Sequence, residues 1–131
     1  MRRAMPATAK LFLAIGAIAM LWAVAVGAFG AHGLESQIAP DLLAVYRTAV
    51  EYHFYHALGL LAVGLVAQRL PASGWLRASG WLMLAGIVIF SGSLYLLAVT
   101  GVRAFGAVTP VGGLAFMLAW VMFAVAVVKR P

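Results

Sequence analysis

The sequence predicts an all-α fold, a single integral membrane domain built as a four-transmembrane-helix bundle, and three observations carry that prediction. Of 131 residues, 66% are hydrophobic and 9% charged, against about 45–50% and about 25% in soluble domains. A chain this short cannot hide so much apolar surface in one water-soluble core. The apolar residues also gather into four runs, each close to the roughly 20 residues that a spanning helix requires. A barrel strand would need about ten alternating residues, and these runs do not alternate. Lipid offers the backbone no hydrogen-bond partner, so the spanning segments are expected to be helices.

The first helix is expected over Leu11–Ala31, a stretch without a charge. Arg2 and Arg3 followed by an apolar run also fit a signal peptide, with Val26-Gly-Ala28 as a cleavage site. The run exceeds the usual 7–15 residues, roughly, of such a segment, which favours a retained helix. The second helix is expected over about 49–68, the third over 78–100 and the fourth over 104–128. Pro110 could also start the fourth, with Thr109 as its N-cap. Between the second and third lies Gln68-Arg-Leu-Pro-Ala-Ser-Gly74, a turn marked by Pro71 and Gly74.

Pro40 can open a helix, and Asp41 in its first turn suits the helix dipole. Leu42, Leu43, Tyr46, Ala49 and Val50 recur at helical spacing, with Asp41, Arg47, Thr48 and Glu51 opposite. Pro40–Tyr52 therefore reads as an amphipathic lead-in to the second helix at the outer interface, or as the start of one longer, tilted helix. On the first helix, Ala19, Ala23, Gly27 and Ala31 form a stripe of small residues suited to close backbone approach. The recurrence of Ala28-Phe-Gly-Ala31 as Ala104-Phe-Gly-Ala107 reflects biased composition, not a repeat.

Charge sets the expected topology. The formal charge is +6, from nine Lys and Arg against three Asp and Glu. The basic residues stand singly between apolar runs, which argues against a nucleic-acid face and for a topology signal. Arg2, Arg3, Lys10, Arg69, Arg77, Lys129 and Arg130 fall on one side, Arg47 and Arg103 on the other. Both termini and the middle turn are thus expected in the cytoplasm. The absence of cysteine excludes disulfides, thiolate catalysis and cysteine metal sites.

Glu51-Tyr-His-Phe-Tyr-His56 is the chemically informative segment, because ionisable groups in a membrane span are costly. If Gln68 marks the inner edge, His56 lies about 18 Å above it and Glu51 about 25 Å, in a hydrocarbon core about 30 Å thick. Glu51 can remain wet, whereas His56 needs a partner. On a helix, Glu51, Tyr55, Tyr52 and His56 fall within an arc of about 140°, with His53 about 60° further round. Ser91, Ser93 and Tyr95 on the third helix, His32 at the end of the first and Thr109-Pro-Val-Gly-Gly113 at the start of the fourth reach the same level. The inner halves of the helices read as apolar.

Four chemistries compete for this cluster. Interhelical hydrogen bonding is the ordinary use of such residues. A pocket for a lipid-like molecule or small solute would have His56, Tyr52, Tyr55, Ser91, Ser93 and Tyr95 as walls, with His32 and Glu51 at its rim. His32, Glu35, Glu51, His53 and His56 could ligate a metal or haem, with His32, His53 and His56 the metal candidates and His53 and His56 at i, i+3, although no His-Glu-x-x-His or Glu-x-x-His pattern supports it. A Ser–His pair from Ser91 or Ser93 and His56 lacks a Gly-x-Ser-x-Gly elbow. A proton wire would need ionisable groups through the inner half as well. No cofactor is expected, and the reading leans away from an enzyme.

Gly27-Ala-Phe-Gly-Ala-His-Gly-Leu34, Tyr52-His-Phe-Tyr-His-Ala-Leu58, Phe90-Ser-Gly-Ser-Leu-Tyr-Leu96 and Thr109-Pro-Val-Gly-Gly113 together resemble the signatures of domain-of-unknown-function family 423. These are small bacterial inner-membrane proteins related to eukaryotic transmembrane protein 256. The resemblance covers roughly Leu11 to Val128. It implies a four-helix protein of the bacterial inner membrane with no established activity. It also favours His32 and His56 over His53 as ligand candidates, because the family pattern often has an amide at that position and varies at position 51. The bilayer is the partner this reading expects, with a second copy or another membrane protein left open.

Overall fold

A computed structural model describes residues 2–129; Arg130, one of the residues in the charge split, lies outside them. Among the described residues there are helices and turns and no strand. α1 runs Ala7–Phe29 and continues as a wider π turn, Gly30–Leu34. α2 is Pro40–Ala67, α3 Gly74–Gly86 and α4 Gly92–Thr100, the last two joined by a second π turn, Ile87–Ser91. A 3₁₀ turn, Arg103–Ala107, leads into α5, Thr109–Val128. The four continuous rods, Ala7–Leu34, Pro40–Ala67, Gly74–Thr100 and Arg103–Val128, are each long and apolar enough to cross a membrane.

The boundaries refine the sequence reading. Pro40 is the first residue of α2, and helix runs unbroken through the expected lead-in to Ala67. α3 starts at Gly74, four residues earlier than expected, because the Ser73 hydroxyl accepts from the Leu76 amide at 3.2 Å and caps the helix. Thr109 is not the cap of α5. It is the first helical residue, and its hydroxyl is bonded to Ser93 instead. α4 ends where Gly101 turns left-handed at φ 71°.

The rods pack in chain order. The broad interfaces are α1 on α2, α2 on α3 and α4, and α3 on α5. Accordingly, 22% of the residues in an 18-residue apolar stretch of each outer rod are buried, against 44% and 39% in the middle two. The core is continuous along the axis: Phe12, Leu60, Val63, Leu76, Met83, Ile87 and Phe116 are buried together. Large apolar side chains such as Leu21, Trp22, Val88, Met117 and Val121 are exposed. That outward face suits lipid and not water.

The α1–α2 seam is set by small residues. A Cβ on Gly16 would fall 2.9 Å from the Leu61 backbone nitrogen, and one on Gly64 would fall 2.8 Å from that of Leu13. Backbones this close leave room for hydrogen only, which is the small-residue packing expected in membranes. Of the stripe named from sequence, Ala19 and Ala23 are buried here and Gly27 rests on Val50 and Phe54, whereas Ala31 is exposed. The π turn begins at Gly30, one residue before Ala31, and takes the end of the rod off the stripe.

The two ends of the bundle differ in charge. Thr8 bonds the Pro71 carbonyl and the Lys129 ammonium lies over the Trp75 ring, so the start of α1 meets the Gln68–Ser73 turn and the residue after α5 meets the first turn of α3 beside it. Arg2, Arg3, Lys10, Arg69, Arg77 and Lys129 are exposed at this turn end. The three carboxylates, Glu35, Asp41 and Glu51, all belong to the other, two-connection end, with Arg47 and Arg103. The excess of Lys and Arg at one end is the feature that the positive-inside rule reads.

At Gly112 a Cβ would strike the backbone of Phe90, whereas at Gly92 it would meet nothing within 4 Å. Gly112→Ala is expected to lower stability by about 1–3 kcal/mol through overpacking. Gly92→Ala is expected to be neutral or stabilising by up to about 1 kcal/mol. Thermal unfolding in mild detergent checks the contrast.

Candidate functional site

The polar residues that the sequence places at one level do not form one pocket. The structure distributes them among separate helix contacts, and the buried ones each find a partner there.

On the side of α2 that faces α1 and α4, the buried His53 ring pairs through Nδ1 with the Tyr95 hydroxyl at 2.9 Å. Tyr95 packs against Tyr46, ring centroids 5.3 Å apart. The Tyr46 hydroxyl donates to the Val26 carbonyl of α1 at 2.5 Å. Three rods are thus tied near the two-connection end.

Facing α5, the buried His56 ring has both nitrogens engaged. Nδ1–H donates to the Tyr52 carbonyl at 2.8 Å, and Nε2 accepts from the Trp120 indole N–H at 3.1 Å. Those two partners fix one neutral tautomer. The ring also stacks on Phe116 with centroids 3.5 Å apart. His53 and His56, three residues apart, therefore turn to different neighbours and do not converge on one ion. Among the described residues no group of three His, Asp or Glu is placed to hold a metal.

The serines fasten the third rod. Ser91 donates to the Ala49 carbonyl of α2 at 2.7 Å. Ser93 donates to the Phe90 carbonyl in its own rod at 2.9 Å and bonds the Thr109 hydroxyl of α5 at 2.7 Å. Tyr55 and Glu51 are exposed on α2, the Tyr55 hydroxyl donating to the carboxylate at 2.5 Å. Glu35 pairs with Arg47 at 3.6 Å, both well exposed. An exposed pair of this kind stabilises little. His32 is exposed at the end of the first rod, apart from the rest.

Of the eight pocket residues named from sequence, Tyr52 and His56 alone line a groove of about 700 Å³ between α2, the second π turn and α5. Its other walls are Phe90, Pro110, Gly113, Leu114, Phe116, Met117 and Trp120. Glu51 borders a smaller cleft with Arg47, Tyr46 and Gly30. Ser91, Ser93 and Tyr95 are consumed in helix contacts.

Three polar participants escape the sequence reading. Trp120 reads as one more apolar residue, yet supplies the donor to His56. Tyr46 counts as part of an apolar face, yet its hydroxyl crosses to α1. Ser79 lies in the half expected to be apolar, fully buried, donating to the Ala119 carbonyl at 2.7 Å. The small-residue run Ala78-Ser-Gly80 is the signal that could have found it, because such runs mark close helix contacts.

Four membrane-length rods, an outward apolar surface and an inward polar network define an integral, multi-pass helical membrane protein. Comparison with known proteins agrees and adds the family. Residues 26–113 match the family model described as protein of unknown function, DUF423, and the chain belongs to that family. It is similar to the UPF0382 membrane protein YwdK of Bacillus subtilis, 54% identical over 120 residues that cover 92% of this chain and 98% of that one. UPF0382 membrane protein SSP2132 of Staphylococcus saprophyticus is 45% identical over 124 residues, covering 92% and 98%. UPF0382 membrane protein SAB0533 of Staphylococcus aureus is 42% identical over 124 residues, covering 92% and 97%. No solved structure matches.

Because the His53–Tyr95 and His56–Trp120 pairs stand on different faces of α2, their deletions should be independent. Tyr95→Phe and Trp120→Phe are each expected to cost about 0.6 kcal/mol, and at most about 1.7. The double variant should equal the two added together within about 0.5 kcal/mol. A coupling above about 1 kcal/mol in a double-mutant cycle would merge the two networks into one.

Proposed function

We propose that this protein is a non-catalytic membrane module whose polar groups hold its helices in register and whose role is exercised by assembly within the bilayer, with a second copy or another membrane protein. One observation supports this most directly. Five polar side chains are buried, His53, His56, Ser79, Ser91 and Ser93, and among the described residues no buried side-chain nitrogen or oxygen lacks a partner. Ionisable groups that serve a substrate or ion pathway in a membrane face a water-filled cavity or that path. Here the polar capacity of the buried side chains is spent within the bundle. We place both termini and the Gln68–Ser73 turn in the cytoplasm, on the grouping of exposed cations at that end.

His56→Ala tests the reading. It removes a bond to Trp120 and the stack on Phe116, and is expected to cost about 2 kcal/mol of stability through the lost bond and the cavity left behind. Any cellular phenotype should follow protein abundance and be restored by a stabilising change elsewhere, such as Gly92→Ala. A variant of full stability and abundance that still abolishes the phenotype would defeat the structural role.

A further inference from the structure

The groove between α2, the second π turn and α5 opens sideways. Leu114, Met117 and Trp120 on its rim are 56%, 67% and 42% exposed, on the surface that the bundle turns to lipid. A volume of about 700 Å³ lined by such side chains falls in the range of ligand sites. Water would find few partners on walls of phenylalanine, leucine, methionine and proline.

Its position matches one leaflet. α5 has 20 residues, about 30 Å of helix, the thickness of the hydrocarbon core. Pro110, at the upper end of the groove, therefore sits near the core edge. Trp120 lies about 15 Å further in, near the midplane. There its N–H is capped by His56, which leaves an apolar floor. α2 runs parallel to α5, and Tyr52 stands one turn nearer the edge than His56, its ring against Phe90 at 4.7 Å.

Tyr52 also differs from its siblings. The sequence has four tyrosines. The hydroxyls of Tyr46, Tyr55 and Tyr95 bond to Val26, Glu51 and His53. The Tyr52 hydroxyl has no partner among the described residues, in a ring that lines the groove one turn above His56. A tyrosine side chain on a helix leans toward the helix N-terminus, here toward the core edge, where the ester carbonyls of lipid lie.

We propose that the groove is a phospholipid site. One acyl chain of a glycerophospholipid, from the leaflet at the two-connection end, lies along Phe116, Met117 and Trp120, and the Tyr52 hydroxyl donates to its ester carbonyl. The site goes beyond the fastening role above, which concerns residues already paired within the chain.

Two variants test it. Gly113 borders the groove, and a Cβ there would make ordinary contact with the Phe90 ring at 3.8 Å, so Gly113→Leu fills the space from one wall. Tyr52→Phe keeps the ring and removes the donor. The full chain is purified in mild detergent, bound lipid is counted by native mass spectrometry, and delipidated protein is titrated with dioleoylphosphatidylglycerol. The wild type is expected to keep one phospholipid per chain through washing and Gly113→Leu none. Tyr52→Phe should bind the added lipid roughly threefold to tenfold more weakly, the loss of one hydrogen bond. No retained lipid in the wild type, an isoprenoid quinone in its place, or unchanged occupancy in Gly113→Leu would overturn the proposal. If Gly113→Leu does not fold, Tyr52→Phe decides alone, and unchanged affinity overturns it.

Discussion

Every polar group inside this molecule must find its partner inside the molecule, because the solvent around the helices is lipid. An unmet backbone or side-chain donor in hydrocarbon costs several kcal/mol, whereas a bond made between helices returns about 0.6 kcal/mol on average. The asymmetry explains the form of the network. Its bonds do not drive association. They are what each buried His and Ser must do once the apolar faces have brought the rods together. Ser79, Ser91 and Tyr46 each donate to a backbone carbonyl of another rod, where a second acceptor lone pair remains open without disturbing the helix.

Packing sets the distances that those bonds then use. Gly16 against Leu61 and Gly64 against Leu13 bring α1 and α2 together at two heights, and Gly112 lets α5 rest on the backbone of the second π turn at Phe90. That turn carries Phe90 to the groove wall and Ser91 to the Ala49 carbonyl. A wider turn shifts the angular register of the helix beyond it, and such turns recur at functional positions. Here it places a fastening residue and a groove residue side by side. With lipid on the outside there is no water-driven force between helices, so small residues that lengthen the contact contribute more than they would in a soluble bundle.

The features legible in the sequence are those that depend on local chemistry. Length and apolarity indicate four spans, Pro40 marks where helix begins ahead of the second, and Pro71 marks the turn, as found, whereas Gly74, read as part of that turn, is the first residue of α3. His56 reads as a residue in need of a partner. The partner itself is not legible, because Trp120 is sixty-four residues away and an indole reads as bulk until a helix brings its N–H into range. The spacing of the two histidines suggests a shared face. The arc that separates them is enough, at the middle of the most buried rod, to send one to α4 and the other to α5. Neither π turn has a sequence signature. Thr109 suits an N-cap, but Ser93 across the interface claims its hydroxyl. In each case the competing interaction is tertiary, beyond what periodicity can register.

The most direct measurement is single-cysteine labelling in intact cells and inverted vesicles, which the cysteine-free sequence makes clean. Position 103 should react with a membrane-impermeant maleimide only in cells, position 69 only in inverted vesicles, and position 121, on the lipid face at mid-span, in neither. Labelling of 69 and 103 from the same side, or ready labelling of 121, would contradict the claim that these helices span a bilayer and face it.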